Sequence, residues 1–198
     1  MTTFLLVRHA AHDNVGRFLA GRTPGIHLGA AGQAQAERLA ERLRSIKIAV
    51  LHSSPRERTR ETAQAIADVQ ALPSPQLEPA LDEIDFGTWS GRTFDDLNRE
   101  LDFRRWNEVR SQARTPAGDS MLDVQARIVR HMEQVEADAP SGAVVLVSHA
   151  DVIKAAVAHH LGLSLDAWSR FEISPASITT IETTGWAAKV LGVNDVVW

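Results

Sequence analysis

Large and β-branched residues run unbroken from Phe4 to Val7 and again through "AVVLVS" at 143–148, the composition of strands buried on both faces. A third such run, "IAVLH", covers 48–52. Between them the period changes. Ala36, Leu39, Ala40 and Leu43 recur at helical spacing, with Glu37, Arg38, Glu41 and Arg42 opposite. In "SPRE", Ser54 reads as an N-cap, Pro55 as the first helical residue and Glu57 as the partner of a capping box, predicting a helix to about Val69. Residues near 93–106 read as helical, and a longer helix follows the "TPAGDS" break to about Ala137. Val152, Ile153, Ala156, Val157 and Leu161 mark a helix after the 143–150 segment, and 176–183 with 186–193 read as an antiparallel pair turning at Thr184 and Gly185. "LDEIDFGTWSG" (81–91) reads as a loop or short extended segment, and residues 10–30 as a long connection of the kind that is often functional.

Alternating strands and helices predict an α/β fold: three layers, αβα, around a mostly parallel central sheet. No repeat, low-complexity tract or linker divides the chain, so residues 1–198 are expected to form one domain. In such sheets ligands bind beyond the carboxyl ends of the strands. Two apolar strands end there on histidine, His9 after "LLVR" and His149 after "VVLVS".

Composition narrows the chemistry. The apolar fraction is 44% and the charged fraction 23%, ordinary for a globular protein. A net charge of −4 argues against nucleic acid as the main partner. The absence of cysteine excludes disulfides, thiol catalysis and thiolate metal sites. No apolar run approaches the ~20 residues of a membrane span, and Met1 enters the first strand too soon for an export segment to precede it. A cytoplasmic location is the expectation.

The candidate site gathers Arg8, His9, Arg58 and His149 with an acid from "LDEIDFG". Arg56 and Arg60 share a helix face and read as solvated, whereas Arg58 projects to nearly the opposite side, close to the helix N-terminus. Paired arginine forks suit a phosphoryl dianion, and their charge disfavours imidazolium, leaving His9 neutral and nucleophilic. Residue types alone leave the acid open among Asp82, Glu83 and Asp85.

"LLVRHA", "LHSSPRERTRETA", "LDEIDFGTWSG" and "VVLVSHADVIK" resemble, in order and spacing, the signature segments of the histidine phosphatase (phosphoglycerate mutase-like) superfamily, over about residues 4–160. "LAGRTPGIHL" is similar to the loop of its short bacterial phosphatase-type members. The resemblance implies a phosphoglycerate mutase-like fold and a metal-independent phosphomonoesterase. His9 would be the nucleophile, with Arg8, Arg58 and His149 holding the phosphoryl group and Glu83 donating the proton from a raised pKa. It implies a small phosphorylated substrate and no cofactor, metal or membrane partner.

Departures fall on substrate contacts rather than on this set. Ala10 stands for the usual glycine, Ala11 and His12 for the usual acid and Ser/Thr, Val15 for asparagine, and Ser90 and Asp119 for two glutamates. Arg22, expected to touch substrate, is grouped with Arg17, His12 and Trp89 as residues that would line the entrance. Two other functions fit the same residues, mutase-type phosphoryl transfer and a non-catalytic phosphate-binding regulatory domain. Hydrolysis is preferred because the chain is short for a mutase and keeps both nucleophile and donor. A metal-dependent hydrolase built on "HAAHD" and "HAD" is disfavoured because such histidines belong on helices, not at strand ends. The oligomeric state stays open, with a homodimer among the options.

Overall fold

The computed structural model describes residues 1–138 and 142–196. Its core is a six-stranded sheet of β1 (Thr2–Arg8), β2 (Ile48–Ser53), β3 (Gln76–Leu77), β4 (Ala143–Ser148), β5 (Ile178–Thr183) and β6 (Ala188–Asp195), in spatial order β3-β2-β4-β1-β5-β6. The first four of that order run parallel, and β5 and β6 close the sheet antiparallel.

The unbroken apolar runs have a direct cause. Leu5 and Val7 of β1 pack with α1 (Ala30–Leu43) and α2 (Glu57–Gln70) on one face. Phe4 and Leu6 pack with α5 (Met121–Ala137) and α6 (Ala150–Leu161) on the other. Both faces are covered, so every second residue cannot be polar. Among the described residues no helix is long and apolar enough to cross a membrane.

Several local expectations shift. The helical stretch at 93–106 divides into α3 (Phe94–Leu97) and α4 (Leu101–Glu108). Glu100 lies between them in extended conformation, its carboxylate held by Trp89 Nε1 and Arg92. The last hairpin turns over Thr184–Ala187, a wider loop than expected, with β5 starting at Ile178 because Ala176 sits at φ +56°. Single turns of 3₁₀ helix at Pro79–Leu81, Gly87–Trp89 and Leu165–Arg170, and the two-residue strand β3, carry no periodicity to be read.

The predicted capping box at Ser54 does not form. The helix begins at Glu57, with extended Arg56 at its cap and no side-chain cap bond. Glu57 instead accepts from the backbone N–H of Gly25 at 3.0 Å, and Ser54 is drawn into the rim described next.

Candidate active site

Register assembles the site. Arg8 lies opposite Ser148 and Val147 opposite Ser53, so β1, β4 and β2 end level, delivering His9, His149 and Ser54 to one edge. His9 N–H donates to Ser148 O at 3.0 Å and Ala10 N–H to Thr62 Oγ1 at 3.0 Å, which fixes the chain as it leaves β1. Ala10 is not among the residues with positive φ, so the alanine costs no left-handed strain. The His9 and His149 rings are 5.3 Å apart.

Arg58, in the first turn of α2, enters between them and is 1% exposed. It donates from Nε to His9 Nε2 (3.3 Å) and from Nη2 to His149 Nδ1 (3.2 Å) and Gly21 O (2.9 Å). Those donors assign the tautomers. His9 donates from Nδ1 to Ala10 O at 2.8 Å, leaving its lone pair on Nε2. His149 accepts on Nδ1 and donates from Nε2 to Ser54 Oγ at 2.8 Å, and Ser54 passes its own proton toward Asp82 Oδ1 at 3.3 Å. Burial, and after it Arg58, holds both imidazoles well below the usual histidine range, so both are neutral.

Two charged donors of the arginines that line the cleft stay uncommitted. Arg8 Nη1 donates to Ile173 O at 2.6 Å, but Arg8 Nε and Arg58 Nη1 are buried without a hydrogen-bond partner among the described residues. Such orphans cost roughly 1–3 kcal/mol or more each. They border a cleft of about 160 Å³ that His9, Glu83 and Asp151 also line. Two guanidinium N–H groups beside an imidazole lone pair are the groups that an anion site next to a nucleophile would need. His12 stacks on His9 at 5.8 Å and is kept neutral, pulled down to about 4 by burial, then by Arg58 and Arg8.

The three acids after β3 are separated by their partners. Asp82 is held by Arg56 at 3.0 Å and Arg22 at 3.5 Å and accepts from Glu83 N–H at 2.8 Å. Asp85 accepts from Gly87 N–H at 2.9 Å. Gly87 sits at φ +52° where a Cβ would strike Pro116 O, so only glycine lets this loop close down on 115–118. Glu83 alone of the three lines the cleft, with Oε2 3.6 Å from His149 Nδ1. Burial, reinforced by the Asp151 charge, lifts its carboxyl to about 7.

Other expectations are corrected. Arg22 is not brought to the cleft. Its guanidinium reaches Glu83 O (2.8 Å) and Asp119 (2.9 Å), with Asp82 and Asp85 close by, so it braces the acidic loop. Trp89 is 1% exposed in the core against Phe103 and Trp106, not at the entrance. Arg17 is exposed just outside the lining, whereas His12 does line the cleft. Arg56 is not a solvated partner of Arg60: besides Asp82 it bonds Arg22 O at 2.9 Å.

Three residues of the site carried no functional signal in the sequence. Ser54 read as a cap, and Asp151 stood out only as a discarded metal ligand. Arg127 of α5, which donates to Ala80 O at 2.5 Å and Glu83 O at 3.2 Å, lies 44 positions from the acid that it supports.

Comparison with known proteins finds similar chains over nearly the whole length. The family model described as histidine phosphatase superfamily (branch 1) matches residues 4–196. A relative named phosphoserine phosphatase 1, from Hydrogenobacter thermophilus, is 33% identical over 185 residues, covering 91% of this chain and 86% of that protein. A probable phosphoglycerate mutase GpmB from Enterobacter sp. is 31% identical, covering 97% and 93%. Among solved structures, a mycobacterial glucosyl-3-phosphoglycerate phosphatase complexed with VO3 superposes with a TM-score of 0.88 at 26% identity, covering 98% of this chain and all of that one.

Proposed function

This chain belongs to the histidine phosphatase superfamily, and from that premise we propose that it hydrolyses small phosphate monoesters without a metal, through a phosphohistidine on His9. The carrying observation is the pair of orphaned donors, Arg8 Nε and Arg58 Nη1, beside the lone pair of a neutral His9. Phosphoryl transfer asks chiefly for positioning and charge stabilisation. The two guanidinium groups supply both, so the step requires no metal charge.

In this reading the phosphoryl oxygens take the free N–H groups of Arg8 and Arg58. His9 Nε2 attacks phosphorus, and the bond from phosphorus to the ester oxygen breaks as Glu83 gives that oxygen its proton. The alcohol leaves, His9 carries the phosphoryl group, and Glu83 is a carboxylate. A water then yields a proton to Glu83 while its oxygen attacks phosphorus. The N–P bond breaks and phosphate departs, restoring neutral His9 and protonated Glu83. A carboxyl poised near 7 suits both halves of this cycle.

The names of the phosphatase relatives favour small phosphorylated metabolites as the substrate class. Similarity to the probable phosphoglycerate mutase favours a second reading, in which the phosphoryl group returns to a phosphoglycerate instead of water. One experiment separates them. Turnover of an alkyl phosphate is followed with and without EDTA, 3-phosphoglycerate interconversion is run alongside, and the protein is trapped for label. Expected are phosphate release insensitive to EDTA, and an acid-labile, alkali-stable label on the wild type that His9→Ala lacks. Equal labelling of both proteins, or loss of activity with EDTA, overturns the proposal.

A further inference from the structure

His12 lines the phosphoryl cleft and takes no part in the phosphohistidine cycle. The chain leaving β1 holds it there. Ala10 N–H is fixed to Thr62 Oγ1, and Ala11 N–H donates to Gln35 Oε1 at 2.9 Å. His12 O then accepts from Val15 N–H at 3.1 Å. This turn lays the His12 ring on that of His9, with 27° between the ring planes.

The hydrogen bonds of the ring decide what it offers. Nδ1 accepts from Asn14 N–H at 3.3 Å, so the proton of the neutral ring sits on Nε2. Burial, and after it Arg58 and Arg8, keeps the ring neutral. Among the described residues nothing accepts that Nε2 proton, yet the atom is not sealed from solvent. The neighbouring imidazoles have no such donor left. His9 Nδ1 donates to Ala10 O, while His149 accepts from Arg58 on Nδ1 and donates from Nε2 to Ser54.

A phosphoryl group in transfer spreads its charge over three equatorial oxygens. The charged donors of the cleft lining belong to Arg8 and Arg58. The loop after β1 supplies the facing wall with His12, Val15, Gly16, Phe18, Leu19, Ala20 and Gly21. Val15, where the resemblance has asparagine, brings no polar side-chain atom. Within that wall His12 alone carries a side-chain donor.

We infer that His12 is a further catalytic residue of this chain, its Nε2–H donating to a nonbridging phosphoryl oxygen beside the donors of Arg8 and Arg58. The inference rests on the phosphatase reading.

Two variants separate the donor from the ring. His12→Phe keeps an aromatic ring against His9 and removes the N–H, whereas His12→Asn restores an amide donor. With the full chain, kcat/KM is measured for 2-phenylethyl phosphate and 4-nitrophenyl phosphate, and calorimetry gives Kd for inorganic phosphate. His12→Phe should lose about 10- to 100-fold in kcat/KM, the range for one hydrogen bond to a charged group. The factor should be similar for both esters, because the phosphoryl group is what they share. Phosphate binding should weaken as well, and His12→Asn should recover part of each loss. In wild type labelled with ¹⁵N-histidine, the His12 Nε2 resonance should move as phosphate is added, a readout that needs no variant to fold. Wild-type turnover and phosphate binding in His12→Phe, a loss confined to one ester, or an Nε2 resonance that phosphate leaves unmoved overturns the inference. No release from either ester by the wild type, with no label on His9, overturns the phosphatase reading instead.

Discussion

Arg58 donates to Nδ1 of His149 across 3.2 Å, so a permanent cation is hydrogen-bonded to an imidazole that it also keeps from charging. The same side chain reaches His9 Nε2 at 3.3 Å. Burial keeps both rings neutral, and this one arginine reinforces that while fixing their tautomers. Arg58→Ala should cost on the order of 2–4 kcal/mol of transition-state stabilisation, as for loss of a preorganised donor. Steady-state kcat/KM on one alkyl phosphate measures it. A loss below tenfold would mean that Arg58 does not engage the phosphoryl group.

Arg56 should behave differently. It touches the acidic loop through Asp82 and not the cleft. Arg56→Ala is expected to lower kcat about tenfold or less, by letting Asp82 and Ser54 shift. Arg56→Lys should recover part of that loss. A defect as deep as that of Arg58→Ala would make Arg56 a phosphate ligand.

Ser54 accepts the Nε2 proton of buried His149. In Ser54→Ala that proton loses its acceptor, at a cost of ~1–3 kcal/mol. Either stability falls by that amount or the ring turns and kcat drops. Urea unfolding and kinetics on the same sample distinguish the two. Wild-type values in both would remove Ser54 from the relay.

Glu83 should matter in proportion to how poorly the alcohol leaves. Glu83→Gln is expected to slow phosphorylation by an alkyl ester ~10²–10⁴-fold, the range for general acid catalysis. An activated aryl ester should be slowed much less and should show a burst. For the wild type, alkyl ester turnover should fall as pH rises through about 7, where the donor loses its proton. Equal slowing of both phosphorylation steps would exclude Glu83 as the donor.

The same carboxyl predicts a pH signature in stability. Its folded pKa, about 7, stands above the 4.5 of an ordinary glutamate. Below 4.5 the group is protonated folded or unfolded, and its contribution is fully present. As pH rises from 4.5 through about 7 that contribution is lost, because the unfolded chain ionises the group while the folded chain must bury it, at a cost on the order of 3 kcal/mol. The histidines run the other way. With folded pKa values pushed far down, they favour the folded state above about 6.5 and lose that advantage as pH falls. Glu83→Gln should therefore raise Tm by roughly 4–10 °C at pH 8 and by little at pH 4. An equal gain at both pH values would show that the carboxylate carries no burial penalty.

Much of this architecture is local and so legible in the chain. Doubly buried strands read as apolar runs, and the last residues of those runs had to lie at the sheet's carboxyl edge, which marked Arg8, His9 and His149. The 100° step per helical residue separated Arg58 from Arg60, whereas Arg56 stands outside the helix, extended at its cap. The choice among partners was not local. A hydroxyl after a strand serves equally as a helix cap or as an imidazole acceptor, and for Ser54 the ring of His149, 95 residues away, took it. Arg22 and Arg56 read as free cations until the fold brought Asp82, Asp85 and Asp119 to them. Asp82, Glu83 and Asp85 are near-equivalents along the chain. Only the packed structure pairs the two aspartates and leaves Glu83 in the cleft with a raised pKa, because pairing and desolvation depend on neighbours in space and not in sequence.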